Sequence, residues 1–224
     1  MIRAAGHSFR VTPKQAISIQ RELSREVERD SRFSGPRLIA GADAAYERHA
    51  GIGGRMYGGV VLLSYPGLEP VESVLVEDEL RFPYVPGLLS FREIPALLKA
   101  FAGLKRKPDV ALFDGQGIAH QRRIGIASHM GVLLDLPSIG AAKSRLCGTY
   151  EEPGPHKGDF SHLRDHGEII GSVLRTRSNV KPLFVSTGHR VNLENAMEIV
   201  LACCVRFRIA EPIRHAHRLV NGAL

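Results

Sequence analysis

Leu38-Ile39-Ala40-Gly41-Ala42-Asp43-Ala44-Ala45-Tyr46 is an apolar run of strand length interrupted by one carboxylate. Period-two alternation puts Asp43 on the face shared with Ile39, Gly41 and Ala45, among small neighbours. A second apolar run, 57–65, follows Gly51, Gly53 and Gly54, so the two read as arms of a hairpin. A third strand is expected at 71–76. Upstream, Thr12-Pro13-Lys14-Gln15 reads as N-cap, N1 proline and N3 glutamine, and Ala16, Ile19, Leu23 and Val27 form the apolar stripe of a first helix. Downstream, Ile94, Leu97, Leu98 and Phe101 restore helical spacing, and 110–113 is a short buried strand. Further strand-like runs lie at 139–142, 169–174 and 183–186. Leu193, Met197, Val200, Cys204 and Phe207 line one last long helix. Strands first paired, then interleaved with helices, imply a mixed α/β sheet covered on both faces. The stretch 151–167, rich in Pro, Gly, His and Asp, reads as a loop inside that domain.

The chain has 224 residues, 44% hydrophobic and 24% charged, which suits one domain spanning 1–224. No apolar run approaches a bilayer span and 1–7 has no signal-peptide core, so a cytoplasmic protein without membrane contact is expected. Cys147, Cys203 and Cys204 form no CxxC pair and point to neither disulfides nor a thiolate zinc site. Neither a P-loop nor a complete dinucleotide fingerprint is present. A formal charge of +7, carried mostly by arginine, favours a polyanionic partner such as nucleic acid.

Asp114 ends the 110–113 strand and precedes Gly115-Gln116-Gly117, at the carboxyl end where open α/β sheets build their sites. Were Asp43 and Asp114 to converge, their repulsion at about 4 Å would be on the order of 4 kcal/mol at an effective dielectric of 20. A shared divalent cation would offset that, and all-oxygen ligands favour Mg²⁺ or Mn²⁺ over zinc. Turn capping or pairing with arginine is the plain alternative for either residue. Glu93 has two readings. Ser90 to Glu93 fits a capping box, whereas Pro95 as N1 leaves Glu93 ahead of the helix and free to face a site; the second register is favoured, since proline inside a helix removes a hydrogen bond. His120, Arg122, Arg123, His129 and Lys143 cluster in sequence near the carboxylates, a mixture that suits phosphate. His156, His162 and His166 read as solvated rather than as a zinc cluster.

Gly41-Ala42-Asp43, then Pro83-Tyr84-Val85-Pro86-Gly87-Leu88-Leu89-Ser90-Phe91-Arg92-Glu93, then Asp114-Gly115-Gln116-Gly117-Ile118-Ala119-His120, closely resemble endonuclease V, the deoxyinosine 3' endonuclease family. The blocks 125–131, 135–143 and 186–196, with Gly188-His189-Arg190, are similar to its remaining motifs, and the resemblance runs over about 37–217. It implies a ribonuclease-H-like fold, a mixed five-stranded sheet flanked by helices, and hydrolysis of the second phosphodiester 3' to inosine in DNA. Matched position by position, it implies that Asp43 and Asp114 hold Mg²⁺, that Glu93 completes the acidic set and that Lys143 contacts the phosphate or its water. Tyr84, between two stiffening prolines, would be the wedge that replaces stacking when a base is extruded. Pro83, Gly87, Arg92, Gly115, His120, Arg122, His189 and Arg190 are the further DNA-contact candidates, and either His217 or His215 would lie near the site. A pocket of backbone groups, Gly87 and the glycines after Asp114, would read the hypoxanthine edge. The alternatives are a same-fold ribonuclease acting on inosine in RNA, and a non-catalytic nucleic-acid-binding protein; a monomer is expected.

Overall fold

Alternation in the 38–46 run divides it between two helical layers. In the computed structural model, which describes residues 7–224 except 32, 34, 48 and 49, this run is strand β1 (Leu38–Tyr46). The reading of 1–6 as lacking a leader lies outside the described residues. β1 pairs antiparallel with β2 (Arg55–Ser64), as the hairpin reading expects, and β2 with β3 (Pro70–Glu79). On its other side β1 runs parallel to β4 (Val110–Phe113), and β4 runs parallel to β5 (Ser138–Ala142). The sheet continues antiparallel through β8 (Leu183–His189), β7 (Glu168–Leu174) and β6 (Phe160–Asp165), giving the order β3-β2-β1-β4-β5-β8-β7-β6.

The sheet therefore has eight strands rather than five: β1 to β5 are contiguous, and three more extend it past β5. β6 lies in the stretch read as a loop, because only Leu163 of its side chains is fully buried and the others are polar or exposed.

Helix α1 (Pro13–Leu23) opens on the expected capping box between Thr12 and Gln15. α2 (Leu89–Ala102) and α3 (Ile126–Leu134) cover one face of the sheet, where Ile94, Leu97, Met130 and Leu133 pack on Ala40, Ala42, Ala111 and Phe113. α4 (Leu193–Cys203) and α5 (Glu211–Asn221) cover the other, where Val200 and Ile213 pack on Ile39, Leu112 and Ile139.

Three helix boundaries differ from expectation. α1 gives way to a 3-10 turn at Ser24–Glu26, so Val27 of the expected stripe lies beyond it in extended backbone. α2 begins at Leu89, so Pro95 lies inside it and Glu93 is helical. The hydrogen bond lost at proline is offset by tertiary anchors: Phe91 is buried with Ala16, Phe82 and Leu88, and the Arg92 guanidinium donates to the carbonyls of Phe82 and Ala50 at 3.0 and 2.9 Å. The helix expected to run on to Phe207 is shorter, since α4 stops at Cys203 and Phe207 is left exposed under the Arg214 guanidinium, ahead of α5.

Candidate active site

Parallel register brings the first carboxylates together. Ala42 pairs with Phe113, on strands of the kind that lie roughly 4.8 Å apart, so Asp43 within β1 and Asp114 directly after β4 follow side by side and line one depression with His217. Alternation carries Ile39-Gly41-Asp43, Val110-Leu112-Asp114 and Ile139-Ala141-Lys143 to one face, so three adjacent carboxyl ends present Asp43, Asp114 and Lys143. The Lys143 ammonium donates to Asp114 Oδ2. Helix α5 crosses β1 at Gly41, where a Cβ would lie 1.9 Å from the Pro212 carbonyl oxygen. That close approach sets His217 over Asp43, with Nδ1 2.8 Å from Oδ2. His215 instead lies beside Arg218, within 4.0 Å of Glu211, which settles which of the two histidines faces the carboxylates.

Glu93 reaches the same edge from the opposite layer. Burial, reinforced by the charges of Asp43 and Asp114, pushes its carboxyl up to about 8. Burial also raises the Asp43 carboxyl; the His217 hydrogen bond restrains the shift and Asp114 adds to it. Three acids thus converge on one edge, with Lys143 on Asp114 as the one ammonium among the described residues hydrogen-bonded to them. Among the described residues no three His, Cys, Asp or Glu side chains already surround one point. Mg²⁺ does not require that, because it keeps waters and is held by one or two carboxylates plus substrate phosphate. The paired Asp43 and Asp114, all-oxygen and mutually repelling, fit such an ion.

Beside the carboxylates a cleft of about 420 Å³ opens between the 84–90 segment, the 114–126 segment and residues 142–146. Its rim carries Tyr84, 68% exposed, between Pro83 and Pro86. Pro86-Gly87 forms the corner of a turn closed by Leu88 N–H donating to Val85 O at 2.9 Å. Gly87 has φ +77°, a conformation that excludes most side chains, and a Cβ there would also strike Gln121 Nε2 at 2.3 Å. Its carbonyl accepts from Gln20 Nε2 (3.1 Å), Arg122 Nη2 (2.8 Å) and His120 Nε2 (3.0 Å). Since His120 Nδ1 accepts from the Arg122 N–H, its ring is the neutral Nε2–H tautomer, and burial holds its pKa down at about 4. Gly115 and Gln116 line the floor, with the turn anchored by Gly117 N–H donating to Ser186 Oγ.

The family model for endonuclease V matches residues 21–218. This chain belongs to the endonuclease V family. It is 48% identical to endonuclease V of Dehalococcoides mccartyi (strain BAV1), covering 94% of this chain and 93% of that one. It is 47% identical to that of Nostoc sp. PCC 7120, covering 96% and 97%. Among solved structures, endonuclease V of Streptomyces avermitilis superposes with TM-score 0.90 at 39% identity, covering 99% and 96%. Ciona intestinalis endonuclease V, in complex with a 24mer DNA containing an inosine followed by a ribo-adenosine, superposes with TM-score 0.81 at 30% identity, covering 94% and 96%. As a family member the chain is an enzyme, with the mixed α/β, ribonuclease-H-like fold of these structures.

Arg92, His189 and Arg190, expected from the family motifs to contact DNA, do not line the cleft. Arg92 is 4% exposed and spent on the Phe82 and Ala50 carbonyls, with its guanidinium over the Tyr46 ring at 4.4 Å, so it braces the approach to Tyr84. His189 and Arg190 end β8, which runs antiparallel to β5; His189 pairs with Ser138 at the end of β5 remote from Lys143. His189 is 2% exposed and accepts from the Glu28 N–H, while Arg190 pairs with Asp135 at 2.8 Å, so both secure the far end of the sheet. Gln20 was not singled out by sequence. It lies four residues after Ala16 on the inward face of α1, and its bonds to Gly87 and Arg122 make it a brace of the cleft.

Proposed function

We propose that this endonuclease V hydrolyses the second phosphodiester 3' to deoxyinosine in DNA, with Mg²⁺ or Mn²⁺ as cofactor, leaving 3'-hydroxyl and 5'-phosphate ends. The observation that carries it is Asp43 and Asp114 in register beside a cleft whose rim holds an exposed, proline-flanked tyrosine. The Ciona relative bound to inosine-containing DNA supplies the substrate class.

In this reading Asp43 and Asp114 hold the cation, which when bound supplies Lewis-acid polarisation of the phosphate and a more acidic water. Tyr84 stacks in the gap left by the extruded base, and the rigid Gly87 turn and the Gly115-Gln116 floor present backbone groups to its edge. Lys143, exchanging Asp114 for the phosphate, neutralises charge that builds on the non-bridging oxygens. Glu93 completes the acidic set from α2. His217 orients Asp43. The protein works as a monomer in the cytoplasm.

The test is a labelled duplex with one deoxyinosine, incubated with Mg²⁺ or EDTA and mapped to single-nucleotide resolution beside an inosine-free control. A Mg²⁺-dependent nick one nucleotide beyond the inosine is expected; binding without a cut overturns the catalytic reading. Because the Ciona complex carries a ribonucleotide after its inosine, the same assay on riboinosine substrates tests a ribonuclease.

A further inference from the structure

Lys143 sits one residue beyond the last rung of the β5–β8 pairing, Ala142 with Phe184, so strand pairing alone leaves its position loosely determined. The connection between α4 and α5 completes it. Arg208 Nη2 donates to the Lys143 carbonyl at 2.9 Å and to the Pro182 carbonyl at 2.7 Å, tying the exit of β5 to the entry of β8. Arg208 is itself fixed at its backbone, where its carbonyl accepts from Thr176 Oγ1 at 2.6 Å and from Cys204 Sγ at 3.3 Å. Its Nε is buried without a partner among the described residues, a cost the site retains, and its charge lies within reach of Asp114.

We infer that Arg208 is a positioning residue that holds Lys143 at the scissile phosphate through its hydrogen bond to the Lys143 carbonyl. The inference rests on the role proposed above for Lys143. It also accounts for the break between α4 and α5: the chain leaves the helix at Cys204 and turns to deliver Arg208 to the two carbonyls, a placement that a continuous helix would not supply.

The guanidinium acts here by reach and shape. One Nη group serves two carbonyls at the end of a planar head, whereas lysine carries a shorter, strongly hydrated ammonium that keeps the charge near Asp114 without spanning both acceptors. Displacing Lys143 by about 1 Å affects chemistry more than affinity, because reaction depends on alignment at the scissile phosphate whereas affinity is summed over many backbone phosphates.

The experiment is single-turnover cleavage of the deoxyinosine duplex in Mg²⁺ by wild type, Arg208→Met, Arg208→Lys, Lys143→Ala and the Arg208→Met/Lys143→Ala double variant. DNA affinity in EDTA and a thermal melt are measured for each. Arg208→Met should slow cleavage by about tenfold to a hundredfold while affinity changes by less than about threefold. Arg208→Lys should stay near the Met variant, and it carries the test if the Met variant melts early. The double variant should be no slower than Lys143→Ala alone. Recovery of the wild-type rate by Arg208→Lys, a loss of affinity as large as the loss of rate, or additive losses in the double variant each overturn the inference. Wild type that leaves the duplex intact overturns the functional reading as well; wild type that cuts, with Arg208→Met as fast, overturns the inference alone.

Discussion

Asp43 is where the charge balance of the site is set, between lysine-paired Asp114 just beyond β4 and a histidine on α5. Asp43→Ala removes one of two proposed cation ligands and leaves the cleft and its basic surroundings intact. Mg²⁺-dependent cleavage should fall on the order of 10²-fold or more, with DNA affinity kept within a few fold; gel-shift and cleavage assays on the same duplex check both. A variant that cuts at the wild-type rate removes the metal assignment. Tyr84 separates recognition from chemistry. Its ring is exposed on a proline-stiffened turn, and base–aromatic stacking is worth about 1–3 kcal/mol, so Tyr84→Ala should narrow the preference for inosine-containing over undamaged duplex by about 5- to 150-fold. Non-specific affinity, read on the inosine-free duplex, should change less.

Helix α5 depends on a single missing side chain. A Cβ at Gly41 would sit 1.9 Å from the Pro212 carbonyl oxygen and 2.8 Å from the Ile213 nitrogen, both backbone, so Gly41→Ala must push the helix off β1. Overpacking of this kind costs about 1–3 kcal/mol, and the same shift lifts His217 from Asp43. A lowered melting temperature together with lost cleavage is the expected pair, while Gly51→Ala, which meets nothing within 4 Å, should leave both unchanged. Alternation made the shared face of Ile39, Gly41, Asp43 and Ala45 readable from sequence, and a strand followed by Asp114-Gly115 marked a carboxyl end. Strand direction carries no such local signature: Gly188-His189-Arg190 reads like a site motif, yet antiparallel β8 delivers it to the opposite end of the sheet. β6 escaped notice because one buried leucine in a polar stretch is a weak pattern, and the start of α2 because Pro95 mimics a first-turn proline while the anchors that hold it inside the helix, Phe91 and Arg92, act through tertiary contacts.

Stability against acid follows from histidines that the fold buries uncharged. His129 has no exposed surface and lies among Phe9, Phe91 and His7, with Nε2 2.7 Å from His7 Nε2 and Nδ1 3.0 Å from Ser90 Oγ. Burial, with the charges of His7 and His120 adding to it, holds its pKa well below the ordinary value. A depressed folded pKa means that the unfolded chain takes up a proton near 6.5 while the native ring does not, so stability present at pH 7 is lost as pH falls. His120, held at about 4, acts in the same sense down to that value. Glu93, raised to about 8, acts in the opposite sense: the native state holds its proton where the unfolded chain releases it, so between about 8 and 4.5 falling pH stabilises the fold. The opposing contributions partly cancel in the total, and a difference measurement isolates the histidine. Unfolding free energies of wild type and His129→Gln, from urea titrations without divalent metal at pH 7 and pH 5, should lie closer together at pH 5 than at pH 7, because the variant lacks this proton linkage. A gap that stays constant between the two pH values would mean that His129 takes up its proton inside the fold as readily as outside, and that the aromatic cluster around it is wetter than its packing indicates.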